Sequence, residues 1–154
     1  MSENISIISN YIDIEFANRY KSICAKYNGF DNRMSGNQKE LYSTIIKRLG
    51  YDAKYFSKET FYRIEEVIGR FNFVLDFVLK NGVVETMWYP GQDKQFCVPD
   101  GRFDFIAEKL DKSFDRSLHN LPKYTNKEEL ELILKEIFSI YEDLKTALIG
   151  SSNN

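Results

Sequence analysis

The hydrophobic positions of this chain change period twice. In the first third they recur every three or four residues, so Ile8, Ile12, Phe16, Tyr20, Ile23 and Tyr27 share one helical face. Asn28-Gly29 is a suitable stop, because glycine tolerates the left-handed backbone that ends helices. A second helix is predicted from near Ser35, where "SGNQ" has the form of a capping box with Ser35 as cap and Gln38 reaching back. Leu41, Tyr42, Ile45, Ile46 and Leu49 form its apolar stripe, and Gly50 closes it.

The middle of the chain has the period of a strand. In "FNFVLDFVLKNGVVETMWYPG", Phe71, Phe73, Leu75, Phe77 and Leu79 alternate with Asn72, Val74, Asp76, Val78 and Lys80. Asn81-Gly82 is the pair favoured in two-residue type I′ turns, which need positive φ at both positions. The hairpin is therefore 71–79 against 83–89, ending at Pro90, which has no N–H to continue a ladder. Its register sets Lys80 opposite Val83, Val78 opposite Glu85, Asp76 opposite Met87 and Leu75 opposite Trp88. One face carries the Phe row with Val84, Thr86 and Trp88 and belongs to the core. The other mixes Val74, Asp76, Val78, Glu85, Met87 and Tyr89. A lone hairpin is marginal in water, so further strands are expected. "TFYRIEEVIG" at 60–69 also fits a helix through Phe61, Ile64 and Ile68, but the need for a partner strand and the following Gly69 favour a strand. "QFCV" at 95–98 suits a short edge strand.

The last third returns to helical spacing. Asp100 or a neighbour caps a helix carrying Phe103, Ile106, Ala107 and Leu110. After a loop with His119, Leu121 and Pro122, "TNKE" from Thr125 to Glu128 reads as another capping box. It opens a long helix with Leu130, Ile133, Leu134, Ile137, Tyr141, Leu144 and Leu148 on one face. The expected fold is α+β: an antiparallel meander, made of this hairpin and one or two further strands, covered by N- and C-terminal helices. Residues 1–149 read as one domain and 150–154, "GSSNN", as a frayed tail.

Composition alters this picture in one respect. At 154 residues the chain is long enough for a core without disulfides or metals. Aromatic residues reach 15%, with 12 Phe and 10 Tyr, which implies either a thick core or an adhesive surface. The net charge of −2 argues against a nucleic-acid partner. The N-terminus lacks the basic and apolar regions of a signal peptide, and no apolar run suggests a membrane span. A cytoplasmic protein is expected. Cys24 and Cys97, far apart and without CxxC spacing, read as two reduced thiols, with a disulfide as the alternative.

Candidate chemistry is sparse. His119 is the single histidine, so zinc-site spacing is absent, and a Cys–His dyad has no local support. The eight glycines stand singly, without a phosphate-binding loop. "GRFNFVLDF" departs from the RNA-recognition strand consensus: Gly69 and Arg70 are inverted, and Phe77 falls one position late. Asp76 and Glu85 are diagonal neighbours on one sheet face, about 7–8 Å apart by strand geometry. That arrangement suits a solvated face first, then an acidic docking surface, then a carboxylate pair, and Val74, Met87 and Tyr89 beside it add weight to docking. Glu128, Glu129, Glu131, Glu136, Glu142 and Asp143 make an acidic outer face on the last helix, interleaved by Lys127, Lys135 and Lys145.

With "FNFVLDFVLKNGVVETMWYPG", the short helix "GRFDFIAEKLDK" and the long closing helix, the chain resembles bacterial immunity proteins of contact-dependent or secretion-delivered polymorphic toxins. The likeness is of layout and not of a diagnostic motif. It implies tight stoichiometric binding of one cognate toxin domain, without turnover or cofactor, and the acids Asp76 and Glu85 would steer a basic toxin such as a nuclease. By elimination, the expected partner-binding residues are Asp76, Glu85, Met87 and Tyr89, with Asp93 at the rim. One alternative is a small-ligand-binding domain or enzyme, with Tyr hydroxyls, Asp76, Glu85 and Arg70 in a pocket between sheet and helices. A third is a homodimer or larger homo-oligomer that uses the aromatic surplus or an open strand edge.

Overall fold

The alternation from Phe71 to Trp88 becomes the centre of a five-stranded antiparallel sheet of order β1-β2-β3-β4-β5. The computed structural model describes residues 9–93, 95–96 and 101–152. Its strands are β1 (Lys54–Phe56), β2 (Phe61–Ile68), β3 (Phe71–Lys80), β4 (Val83–Gln92) and β5 (Gln95–Phe96). Its helices are α1 (Phe16–Lys26), α2 (Lys39–Arg48), α3 (Phe103–Leu110) and α4 (Lys127–Ser152), with a further helical turn at 9–13. The fold is α+β, as the two hydrophobic periods imply. No helix among the described residues is long and apolar enough to cross a membrane.

The hairpin forms in the expected register, including Lys80 with Val83, Val78 with Glu85 and Asp76 with Met87. Asn81 and Gly82 have φ of 55° and 73°, the two positive values a type I′ turn needs. The strand does not stop at Pro90 but continues to Gln92. The reason is parity. Val84 and Trp88 direct their N–H groups away from β3, to the carbonyls of Pro122 (2.9 Å) and Gly101 (2.8 Å). Pro90 shares their parity, so its missing N–H removes nothing from the β3–β4 ladder. Residues 60–69 are strand, and Gly69 (φ 61°) supplies the positive φ of a tight turn between β2 and β3. Of the predicted strand 95–98, Gln95 and Phe96 pair with β4, while Cys97 and Val98 lie outside the described residues, as do Ile8 and Asp100.

One sheet face is the core. Tyr62, Ile64, Phe71, Phe73, Leu75, Phe77, Leu79, Val84, Thr86 and Trp88 are all buried there. α4 crosses this face: Phe138 meets Phe77 edge-on at 5.5 Å and Tyr141 meets Trp88 at 5.7 Å. At 26 residues it is about 39 Å long, and every apolar position assigned to its stripe is buried. It runs through Gly150 to Ser152, so the stretch expected as a frayed tail is helical up to there. α1 and α3 close one end, where Phe103 packs against Phe16 (4.9 Å) and Tyr20 (5.7 Å). Gly101, just before α3, admits no side chain: a Cβ there would lie 1.8 Å from the Trp88 carbonyl oxygen.

Three helix-end expectations need correction. The first apolar face is interrupted, because Glu15 adopts a left-handed φ of 56° between the turn at 9–13 and α1. That break turns Tyr11 inward and leaves Ile12 62% exposed. The capping box at Ser35 and Gln38 does not form; α2 begins at Lys39, and Gln38 caps it without a side-chain bond. The box before α4 is shifted by one residue. Asn126 Oδ1 accepts from the Glu129 N–H (2.8 Å), and Glu129 Oε1 reaches back to the Thr125 N–H (2.8 Å). Glu129, not Glu128, stands one turn after the residue that caps.

Candidate partner-binding face

The strand register puts the second face of the sheet together residue by residue. Phe56 and Lys54 come from β1, and Phe61, Arg63, Glu65 and Val67 from β2. β3 adds Asn72, Val74, Asp76 and Val78, and β4 adds Glu85, Met87 and Tyr89. Among the described residues, Arg102, from the segment before α3, reaches this face by an ion pair, while α4 packs on the opposite side. Val78, Glu85, Met87 and Tyr89 are half-buried, and Val67 is 72% exposed. Asp93 sits at the β4–β5 turn with a φ of 53°, bound to Arg70 at 2.6 Å.

Asp76 differs from its expected exposure. Together with Val74 it is buried. Arg63, directly opposite in the register, holds it with two bonds, from Nε (2.8 Å) and Nη2 (3.0 Å). Those bonds raise the Arg63 pKa further above its usual value. The same guanidinium lies 5.1 Å from the Phe56 ring and 5.4 Å from Phe61, which stack on each other at 4.7 Å. Arg63 was not among the residues singled out from the sequence. A two-residue turn at Gly69-Arg70 does imply its pairing with Asp76, so the signal was present once 60–69 is taken as strand.

Glu85 is not close-paired with Asp76. It faces Arg102 at 3.8 Å, each side chain about a third exposed. Arg102 also binds Asp104 through two contacts of 3.1 and 2.9 Å and lies over Phe105 at 4.2 Å. Among the described residues, Lys54, Arg63 and Arg102 stand against Glu65, Asp76 and Glu85, with Asp104 sharing Arg102. Among the described residues each acid of the face is matched by a cation nearby, so these charges give little electrostatic steering of a basic partner. What it offers is apolar and aromatic surface around an ion pair already fixed in geometry.

The acidic outer side of α4 is also matched from within the chain. Arg48 binds Glu131, Lys26 binds Glu136 (3.0 Å) and Arg19 binds Asp143 (2.7 Å). Of the interleaved lysines, Lys145 pairs along the helix, with Glu142 at 3.1 Å, and its shorter bond of 2.6 Å goes to Glu66 on β2. Tyr141 donates to the same Glu66 oxygen at 2.7 Å. Burial alone would raise the Glu66 pKa, but these two donors outweigh it and hold the carboxyl below its usual value.

The remaining candidate groups are structural in their surroundings. Burial pushes the Cys24 thiol up to about 12, far from the range of a thiolate nucleophile. Cys97 lies outside the described residues. His119 stacks on Phe114 at 5.0 Å and its Nδ1 sits 3.2 Å from the Asp115 backbone nitrogen. Among the described residues no group of three or more His, Cys, Asp or Glu side chains could hold a metal. A cleft of about 410 Å³ opens between α1 and α4, lined by Asn18, Arg19, Ser22, Glu136 and Ser139, and so lies between helices and away from the sheet. No known family profile matches this chain, and neither a curated protein nor a solved structure matches it.

Proposed function

We propose that this chain is a non-catalytic protein-binding module, which docks its partner on the sheet face opposite α4 and acts as the stoichiometric inhibitor of a toxin domain. The observation that carries the reading is the face itself. Met87, Tyr89, Val78, Phe56 and Phe61 remain partly accessible on it, around the Arg63–Asp76 pair. Interfaces are enriched in aromatic residues, Met and Arg with a few placed charges, which is this composition. Of the five partner-binding residues read from the sequence, Glu85, Met87 and Tyr89 keep an accessible place on the face. Asp76 becomes a buried support for it, and Asp93 a rim residue already paired with Arg70.

A toxin gene adjoining the gene for this chain supplies the test. Its product, expressed alone and together with this protein, is assayed for growth arrest, and the purified pair is titrated by calorimetry. The reading predicts rescue of growth and saturation at one inhibitor per toxin, with no chemical change in either chain. Rescue that persists at strongly substoichiometric inhibitor would overturn it in favour of an enzyme, and no binding at all would remove the toxin as partner.

A further inference from the structure

The far edge of β2 is only half covered. The two-residue turn at Gly69-Arg70 makes Ile68 and Phe71 a hydrogen-bonded pair, so Glu66, Ile64 and Tyr62 also point their backbone groups at β3. Phe61, Arg63, Glu65 and Val67 therefore point theirs the other way. β1 pairs with Phe61 through Phe56 and with Arg63 through Lys54, and there it ends. Among the described residues, no strand lies beside the outward N–H and C=O groups of Glu65 and Val67. At the same place Val67 is 72% and Ile68 41% exposed. Sheet edges of this kind template further strand pairing, and many are blunted by Pro or Lys, which this stretch lacks.

We propose that a second copy of this chain pairs here, β2 to β2, antiparallel about a twofold axis through Val67. The register is fixed by parity. Val67 sits opposite its own symmetry mate and exchanges two backbone hydrogen bonds with it, and Glu65 comes opposite Gly69 of the second copy. This register places apolar on apolar at the centre and no carboxylate directly opposite a carboxylate. Ile68 falls opposite the second copy's Glu66, whose charge is already satisfied by Lys145 and Tyr141 of its own chain. Lys54 does not obstruct it, because the pairing runs from Glu65 towards Gly69 and away from β1. Paired residues in a ladder project to the same side, so both partner-binding faces lie on one surface of a ten-stranded sheet. The dimer would present two equal docking faces to a partner, a property separate from whether a toxin is what binds there.

Sedimentation equilibrium across low to high micromolar protein tests this directly. Wild type should follow a monomer–dimer isotherm. Val67→Pro removes the N–H that crosses the interface while leaving the β2–β3 ladder intact, and should weaken dimerisation by at least ~10-fold. Val67→Thr, which keeps the backbone donor, should dimerise. Hydrogen exchange of the wild-type protein gives a second readout that does not depend on a variant folding: the Val67 amide should become protected as concentration rises. A monomer at every concentration overturns the proposal, and so does a dimer unaffected by Val67→Pro with a Val67 amide that exchanges at one rate throughout. The failure of either result leaves partner binding by the open face to be judged by its own titration.

Discussion

Truncating Arg63 should destabilise the fold more than truncating Asp76, although the two share the same pair of hydrogen bonds. The asymmetry comes from where each group is left. The Asp76 side chain is 8% exposed and that of Arg63 34%. In Asp76→Ala the guanidinium loses two charge-assisted bonds but regains water and keeps the Phe56 and Phe61 rings, a cost of about 1–2 kcal/mol. In Arg63→Ala the carboxylate stays in a nearly closed site with no cation, which is expected to cost about 3–5 kcal/mol. For a domain of this size each kcal/mol corresponds to roughly 2–4 °C in Tm. Urea titrations of both variants and of the Arg63→Ala/Asp76→Ala double variant complete a double-mutant cycle, with Arg63→Met/Asp76→Leu measured beside it. The paired apolar replacement should recover most of the loss, because removing both charges leaves neither stranded. Equal costs for the two single variants, or strict additivity in the double variant, would refute the claim that Asp76 depends on Arg63 for its burial.

Thr86 is buried at 1% exposure among the core rings and its hydroxyl has no hydrogen-bond partner, so Thr86→Val should stabilise by about 1–2 kcal/mol in thermal or urea unfolding. A loss of stability there would mean that the hydroxyl is satisfied by a bound water. Glu66, held below its ordinary value by Lys145 and Tyr141, contributes stability that is present above the unfolded carboxyl range and is lost as pH falls through its lowered folded value. Lys145→Met should therefore flatten the acid limb of the stability profile while lowering stability at neutral pH, measured by urea midpoints over an acid-to-neutral series.

What could be read from the chain alone was what neighbours in sequence determine. The Phe row, Asn81-Gly82 and the register to Trp88 follow from a period of two and a turn whose φ values few residue pairs supply, and all appear as expected. The stripe of α4 was equally plain, because seven positions at helical spacing leave one way to bury them. Errors arose where a distant segment decides. Asp76 has a solvent-facing parity, and the two bonds from Arg63 on β2 make its burial tolerable. The acids of α4 read as a face matched by lysines of the same helix, whereas Arg19, Lys26 and Arg48, which bind three of them, lie on other helices. The cap of α4 moved by one residue for a different reason: "TNKE" and "NKEE" offer overlapping boxes, and geometry at Asn126 selects the second. The break at Glu15 had no visible signal, since a glutamate with positive φ is not marked by its type.

The central claim is that the sheet face opposite α4 is where a partner docks, and calorimetry of single truncations on the purified complex tests it most directly. Met87→Ala and Tyr89→Ala lie on the accessible part of that face, whereas Leu132→Ala, at a 50% exposed position on α4, is a matched control on the other side of the molecule. Each face variant should bind at least about 2 kcal/mol more weakly, with the control within about 0.5 kcal/mol of wild type. Unchanged affinity in folded Met87→Ala and Tyr89→Ala proteins, with a loss in Leu132→Ala, would contradict it and move the interface to α4.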